Sequence, residues 1–188
     1  MLITITIHMN RKIAILRGIN VGGKRKILMA HLKGLCEKLE LEQIETYIQS
    51  GNLLFNSQLK NTELEDLLED SIKERFGFEV PVIVRDSEEL QNSIRKNPFF
   101  DKNADINQLH LTFLKEKPSK ENIEKIQTYN YDPDKYKIEE KEVFIFCEGK
   151  YHQTKLNNNF FEKKLKVGAT TRNWKTILKL HELSKKQI

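Results

Sequence analysis

Apolar positions along the chain change period several times, and each change marks an element. Ile13-Ala14-Ile15-Leu16 is a short apolar run closed by a glycine-rich stretch, the pattern of a buried strand. Leu28, Leu32, Leu35 and Leu39 then recur at spacings of four, three and four, which predicts an amphipathic helix. Residues 45–48, the tight turn Gln49-Ser50-Gly51-Asn52 and residues 53–55 read as a hairpin. Thr62-Glu63-Leu64-Glu65 has the form of a capping box, with Thr62 as cap and Glu65 reaching back. Leu64, Leu67, Leu68, Ile72 and Phe76 give the following helix its apolar face, and Gly77 supplies a left-handed stop. Residues 80–85 form a further strand, with Pro81 near its start where a missing donor is tolerated.

This order, β-α-β-β-α-β, is the split βαβ arrangement of a ferredoxin-like unit, one layer of helices on an antiparallel sheet. After a helix over 87–96, ended by Asn97-Pro98, the second half gives strand 109–113, a helix from Ser119, strands near 136–138 and 143–147, and then two helices. The fold class is therefore α+β: a ferredoxin-like unit at 1–86 and a second, degenerate α+β unit at 87–188 with a C-terminal helix pair, the alternative being a single larger sheet. The opening octet, 1–8, alternates Ile with Thr as a half-buried strand would, but Met9 offers an equally good start and an Ile-rich edge strand invites aggregation. It is expected to be dispensable.

Composition removes several classes. Long apolar-periodic segments with 4 Pro and 8 Gly in 188 residues exclude wholesale disorder. No apolar run approaches the roughly 18 to 20 residues of a membrane span, and the first residues lack the features of a secretory leader, so a cytoplasmic location is expected. Cys36 and Cys147 lie in apolar patterns far apart and read as buried thiols, and the histidines show no metal-ligand spacing.

Charge changes the picture more. Residues 1–36 carry seven basic side chains and no acid, residues 151–188 carry nine against Glu162 and Glu182, and the stretch between has a net charge of −9. If folding joins the two ends, one positive face results, suited to an anionic small molecule or to nucleic acid.

Three segments could use that charge. Arg17-Gly18-Ile19-Asn20-Val21-Gly22-Gly23-Lys24 lies between a strand and a helix, so Arg17, Lys24 and the following Arg25 offer charge while Gly22 and Gly23 allow backbone amides to approach a ligand. It matches the first part of a nucleotide-binding P-loop, but Arg25 stands where a Mg²⁺-holding hydroxyl belongs. A Mg-dependent nucleotide-using enzyme would need a carboxylate there, for which Asp86 at a strand end is the candidate. The second segment, Tyr47-Ile48-Gln49-Ser50-Gly51-Asn52, is a turn whose Tyr47, Gln49 and Asn52 could face a ligand. In the third, Thr170-Thr171-Arg172-Asn173-Trp174, a helix capped by Thr170 or Thr171 would place free amides, Asn173 and Arg172 around a phosphate. The same region could form a DNA-reading helix-turn-helix, with a short helix over 160–167, a turn at Gly168 and a basic second helix. The stacked aromatics of an RNA-recognition strand are absent from the sequence.

Together Arg17–Gly23, Tyr47–Asn52, Asn97-Pro98-Phe99 and Ala169–Trp174 resemble the signature segments of the bacterial domain-of-unknown-function family 1697. The resemblance implies a compact cytoplasmic α+β protein with duplicated ferredoxin-like units, and no activity, cofactor or catalytic residue. Leu28 stands where family members often have Pro.

Overall fold

A computed structural model describes residues 10–185, so the opening octet lies outside the described residues. The first half runs β1 (Asn10–Leu16), α1 (Met29–Lys38), β2 (Glu42–Tyr47), β3 (Asn52–Ser57), α2 (Asn61–Phe76), β4 (Val82–Asp86) and α3 (Ser87–Lys96). The second runs β5 (Leu109–Leu114), α4 (Lys120–Gln127), β6 (Lys135–Glu139), β7 (Glu142–Phe146), α5 (Asn158–Leu165), β8 (Ala169–Asn173) and α6 (Trp174–Ser184). The two antiparallel sheets have the orders β2-β3-β1-β4 and β6-β7-β5-β8. These are the same order, with β5 in the place of β1 and β8 in the place of β4. The second unit is thus a complete β-α-β-β-α-β repeat rather than a degenerate one, and each repeat is followed by one more helix.

The strand missed from sequence is β8. Residues 169–173 pair with β5 instead of opening a helix, and the α6 cap is Asn173, whose side chain accepts from Thr176 N. Neither Thr170 nor Thr171 caps a helix. The intervening strand also removes the helix-turn-helix, because α5 and α6 are no longer consecutive. At α2 the carboxylate that reaches back to the cap is Glu63, which accepts from Lys60 N, so the capping box does not run from Thr62 to Glu65. Leu28 stands just outside α1 and is exposed. Gly77 ends α2 in the left-handed region, and Ser119 caps α4, both as expected.

Strand β1 is buried on both faces because two layers cover its sheet. Ala14 and Leu16 face α1 and α2 among Leu32, Leu64, Leu68 and Ile72. Ile13 and Ile15 face the other way, into a core with Leu54, Ile83, Leu90, Leu111, Phe113 and Trp174. That core draws side chains from both sheets and from α3 and α6, so the repeats share one hydrophobic interior. A third cluster under α4 and α5 completes the second repeat. Both cysteines are buried, and burial pushes the thiols up, Cys36 to about 12 and Cys147 to about 11.

Candidate functional site

The junction of the repeats is organised around Arg172 on β8. Its side chain is only 8% exposed and points from the second sheet into the first repeat. Nε donates to Asn52 Oδ1 at 2.7 Å, and Nη2 to the carbonyls of Leu16 at 2.7 Å, Ser50 at 2.9 Å and Gly51 at 3.2 Å. Nη1 donates to Thr170 Oγ1 and to the Thr171 carbonyl. One guanidinium fork therefore ties the end of β1, the β2–β3 turn and β8 together. All its acceptors are neutral oxygens, and it makes no ion pair among the described residues. Burial pushes its pKa down to about 10, so it stays charged at neutral pH.

Asn52 and Asn20 brace this junction. The Asn52 amide nitrogen donates to the Tyr47 carbonyl at 2.9 Å and to Ser50 Oγ. Asn20 accepts from Ile27 N and donates to the Ile27 and Gln49 carbonyls, which closes the 20–27 loop and fastens it to the turn. Gly51 is required between them: its φ is +81°, and a Cβ there would lie 2.6 Å from Ile19 Cδ1 and 2.9 Å from Leu16 Cβ.

Beside this junction opens a cleft of about 920 Å³, a size typical of small-molecule sites. One wall is the glycine loop and the turn, with Arg17, Arg25, Val21 and Ile48; the other is the second repeat, with His110, Tyr151, Asn158 and β8. Among the described residues three arginines and two histidines line it, and no Asp or Glu does. Arg17 is neutralised by Glu162 and also bonds Asn159. Arg25 is exposed and in no ion pair among the described residues. Val21 and Ile48, 63% and 46% exposed, add an apolar lip. Ile48 has φ +50°, a strained conformation for a β-branched residue.

The second wall holds a buried histidine. His110 stacks on Tyr151 with ring centroids 4.2 Å apart, and its buried Nδ1 has no hydrogen-bond partner of standard geometry. Burial pushes His110 down to about 4 against the backbone of Gln108, so its ring is neutral at pH 7. Thr112, Thr171 and Asn158 continue the wall as a hydrogen-bonded chain, with Thr112 and Thr171 hydroxyls 2.7 Å apart and Thr171 donating to Asn158 Oδ1.

Of the residues singled out in the sequence, Arg17, Thr170, Thr171, Arg172 and Asn173 line this cleft. Asn20 and Asn52 brace the cleft from outside its lining, with their polar side-chain atoms committed to protein partners; Tyr47 and Gln49 supply carbonyls to those braces, and Gln49 is exposed. Gly22, Gly23 and Lys24 lie exposed at the loop tip, closed by a Val21–Lys24 bridge, and do not line it. That tip is not a P-loop: α1 begins five residues after Lys24, and the sheet is antiparallel. Asp86 cannot serve Lys24 either, since it caps α3 beside Lys12, at the opposite end of β1 from the glycine loop. Arg25 is legible as a loop charge and His110 as a polar position in the alternating strand 109–113, whereas Tyr151, Asn158 and Thr176 carry no local signal; all five meet in one cleft only through the pairing of the two halves.

The architecture defines a class of α+β protein in which two ferredoxin-like repeats share a core and leave a cation-lined cleft where they meet. The chain belongs to the family described as protein of unknown function DUF1697, whose model matches residues 9–144. It is similar to a solved structure from Streptococcus pneumoniae described as a conserved bacterial protein, with 25% identity and a TM-score of 0.78, covering 95% of this chain and 100% of that one. No curated protein matches. Among the described residues no helix is long and apolar enough to cross a membrane.

Proposed function

We propose that this protein binds an anionic small molecule in the cleft between the glycine loop and β8. The observation that carries the reading is Arg172, a buried cation without a carboxylate partner, beneath a cleft that no acidic side chain lines. A charge removed from water normally has a partner of opposite sign, and leaving it unpaired is costly. Six neutral oxygens solvate this one but leave its charge to act on whatever enters the cleft, where the local dielectric is below that of water. Arg25 at the rim adds an unpaired cation in direct reach of solvent, and Val21 and Ile48 give an organic ligand apolar surface to cover.

The Mg-dependent enzyme reading has less support, because the carboxylate it nominated lies at the other end of the sheet. Nucleotides, phosphorylated metabolites and carboxylic acids are the candidate ligands. Thermal denaturation against a panel of such anions and their neutral analogues, at low and high salt, tests the reading. Anions should raise the midpoint where their neutral analogues do not, and Arg25→Ala should weaken the effect. A panel in which no anion shifts the midpoint would contradict it.

A further inference from the structure

The two repeats are equivalent in their contacts as well as in their topology. Arg85 on β4 donates to the Val84 carbonyl at 2.9 Å and, across the repeats, to the Leu114 carbonyl at 2.7 Å. Arg172 on β8 donates to the Thr171 carbonyl at 3.0 Å and, across the repeats, to the Leu16 carbonyl at 2.7 Å. Glu69 accepts from Val82 N and pairs with Lys115, while Glu162 accepts from Ala169 N and pairs with Arg17. Asp86 and Asn173 each end their strand and cap the next helix. These pairs fix a residue-by-residue correspondence along the outer edges of β4 and β8.

Strand parity determines where those edge amides point. In an antiparallel ladder alternate residues bond the neighbouring strand, and the others face outward. Arg17 N donates to the Pro81 carbonyl and Lys115 N to the Gly168 carbonyl. Val82, Val84 and Asp86 therefore present their amides outward from β4, and Ala169, Thr171 and Asn173 do so from β8.

On β4 all three are taken by carboxylates: Val82 N by Glu69, Val84 N by Glu65 at 2.9 Å, and Asp86 N by Glu89 at 2.9 Å. Only the first of these has a counterpart on β8, where Glu162 takes Ala169 N. Asn158 stands beside Thr171 in the place of Glu65, and its Oδ1 accepts from the Thr171 hydroxyl. Thr176 stands in the place of Glu89, three residues past the cap, and is too short to reach back. Among the described residues neither the Thr171 nor the Asn173 amide has a protein acceptor. The electrostatic consequence follows the same line. Burial raises the Glu65 carboxyl, and the Val84 amide and the Arg85 cation pull it back toward its charged form, whereas Arg172 has no such partner and burial alone shifts it. Asn158, Thr171, Asn173 and Thr176 all line the cleft.

We infer that the cleft is where the second repeat lacks the two carboxylates of the first, and that the ligand is an acid with two oxyanion groups that accept from the Thr171 and Asn173 amides. Residues two apart on one strand edge are about 7 Å apart, which two linked oxyanions span and a single carboxylate does not. The inference rests on the anion-binding reading and specifies its ligand. Dicarboxylates and diphosphates both present this chemistry.

Calorimetry with glutarate, adipate and pyrophosphate, against butyrate as the one-headed control, separates the two sources. At least one two-headed acid should bind tenfold or more tightly than butyrate. Asn158→Glu should fill the site from within. Its Thr171 amide proton should move downfield without ligand and affinity for the preferred acid should fall tenfold or more, while Asn158→Gln, which has the reach without the charge, should lower affinity by less. Asn157→Asp, which puts the same charge at the cap of α5 outside the cleft lining and keeps an acceptor for Phe160 N, controls for the helix end and should leave the Thr171 proton unmoved. If Asn158→Glu leaves the Thr171 amide as it is in the parent chain, or if butyrate binds as tightly as the two-headed acids, the inference is overturned while anion binding stands. If no anion binds the parent chain, both are overturned.

Discussion

Arg172 Nε and Asn52 Oδ1 meet at 2.7 Å across 120 residues of sequence, and that bond joins the two repeats at the edge of the cleft. It makes the junction a matter of hydrogen-bond geometry as much as of apolar packing.

Removing the guanidinium should therefore destabilise the whole chain. Arg172→Met keeps volume but strands Asn52 Oδ1 and the Leu16 and Ser50 carbonyls, whereas the Gly51 carbonyl keeps the Leu16 amide; each unsatisfied buried acceptor costs about 1–3 kcal/mol. Urea denaturation should show a loss of about 3 kcal/mol or more, and Arg172→Lys should recover only part of it because Lys has no planar fork.

Glycine positions in the two motif loops should differ sharply. Gly51→Ala forces a Cβ against Ile19 and Leu16 at positive φ and should cost about 2–4 kcal/mol, the overpacking and strain terms together. Gly22→Ala has nothing within 4 Å and should cost only the left-handed strain of about 1–2 kcal/mol, as read from the same urea midpoints.

The pH dependence carries the sign of His110. Its folded pKa, about 4, lies below the ordinary histidine value, so between about pH 6.5 and 4 the unfolded chain binds the extra proton. Stability from this group is complete above about pH 6.5 and is lost as pH falls toward 4. The raised carboxyls of Glu65 and Glu142 act oppositely, since there the folded state holds the proton. Denaturation midpoints across pH 4–7 should therefore flatten in His110→Gln relative to the parent chain.

Separating the halves should expose the shared core. Ile13, Ile15, Leu54 and Ile83 of the first sheet pack with Leu111, Phe113 and Trp174 of the second half. A fragment of residues 9–86 is expected to lack dispersed amide resonances and a cooperative thermal transition, both regained on mixing with residues 87–188.

Regular elements were legible where burial is apolar. Leu32, Leu35, Leu64, Leu68 and Ile72 signal their helices, and Ile13 to Leu16 signal the central strand, because transfer from water writes a period into the sequence. Strand β8 was not legible: its inward side chains include Thr170 and Arg172, held by hydrogen bonds, so no apolar alternation marks it. The completeness of the second repeat was hidden for the same reason. What the repeats share is a set of contacts, Arg85 with Arg172 and Glu69 with Glu162, spaced by loops of different length. Arg17 and Arg172 were visible as charges, but which of them is paired depends on Glu162 and Asn158, and neither carries a local signal.

The most direct test is an amide-resolved NMR titration of the intact chain with adipate and, separately, pyrophosphate. The largest shifts should fall on the Thr171 and Asn173 amides of β8, with smaller ones at Arg25 and His110. Saturable shifts that spare β8 and fall on the exposed lysines of α4 and α5 instead would contradict it.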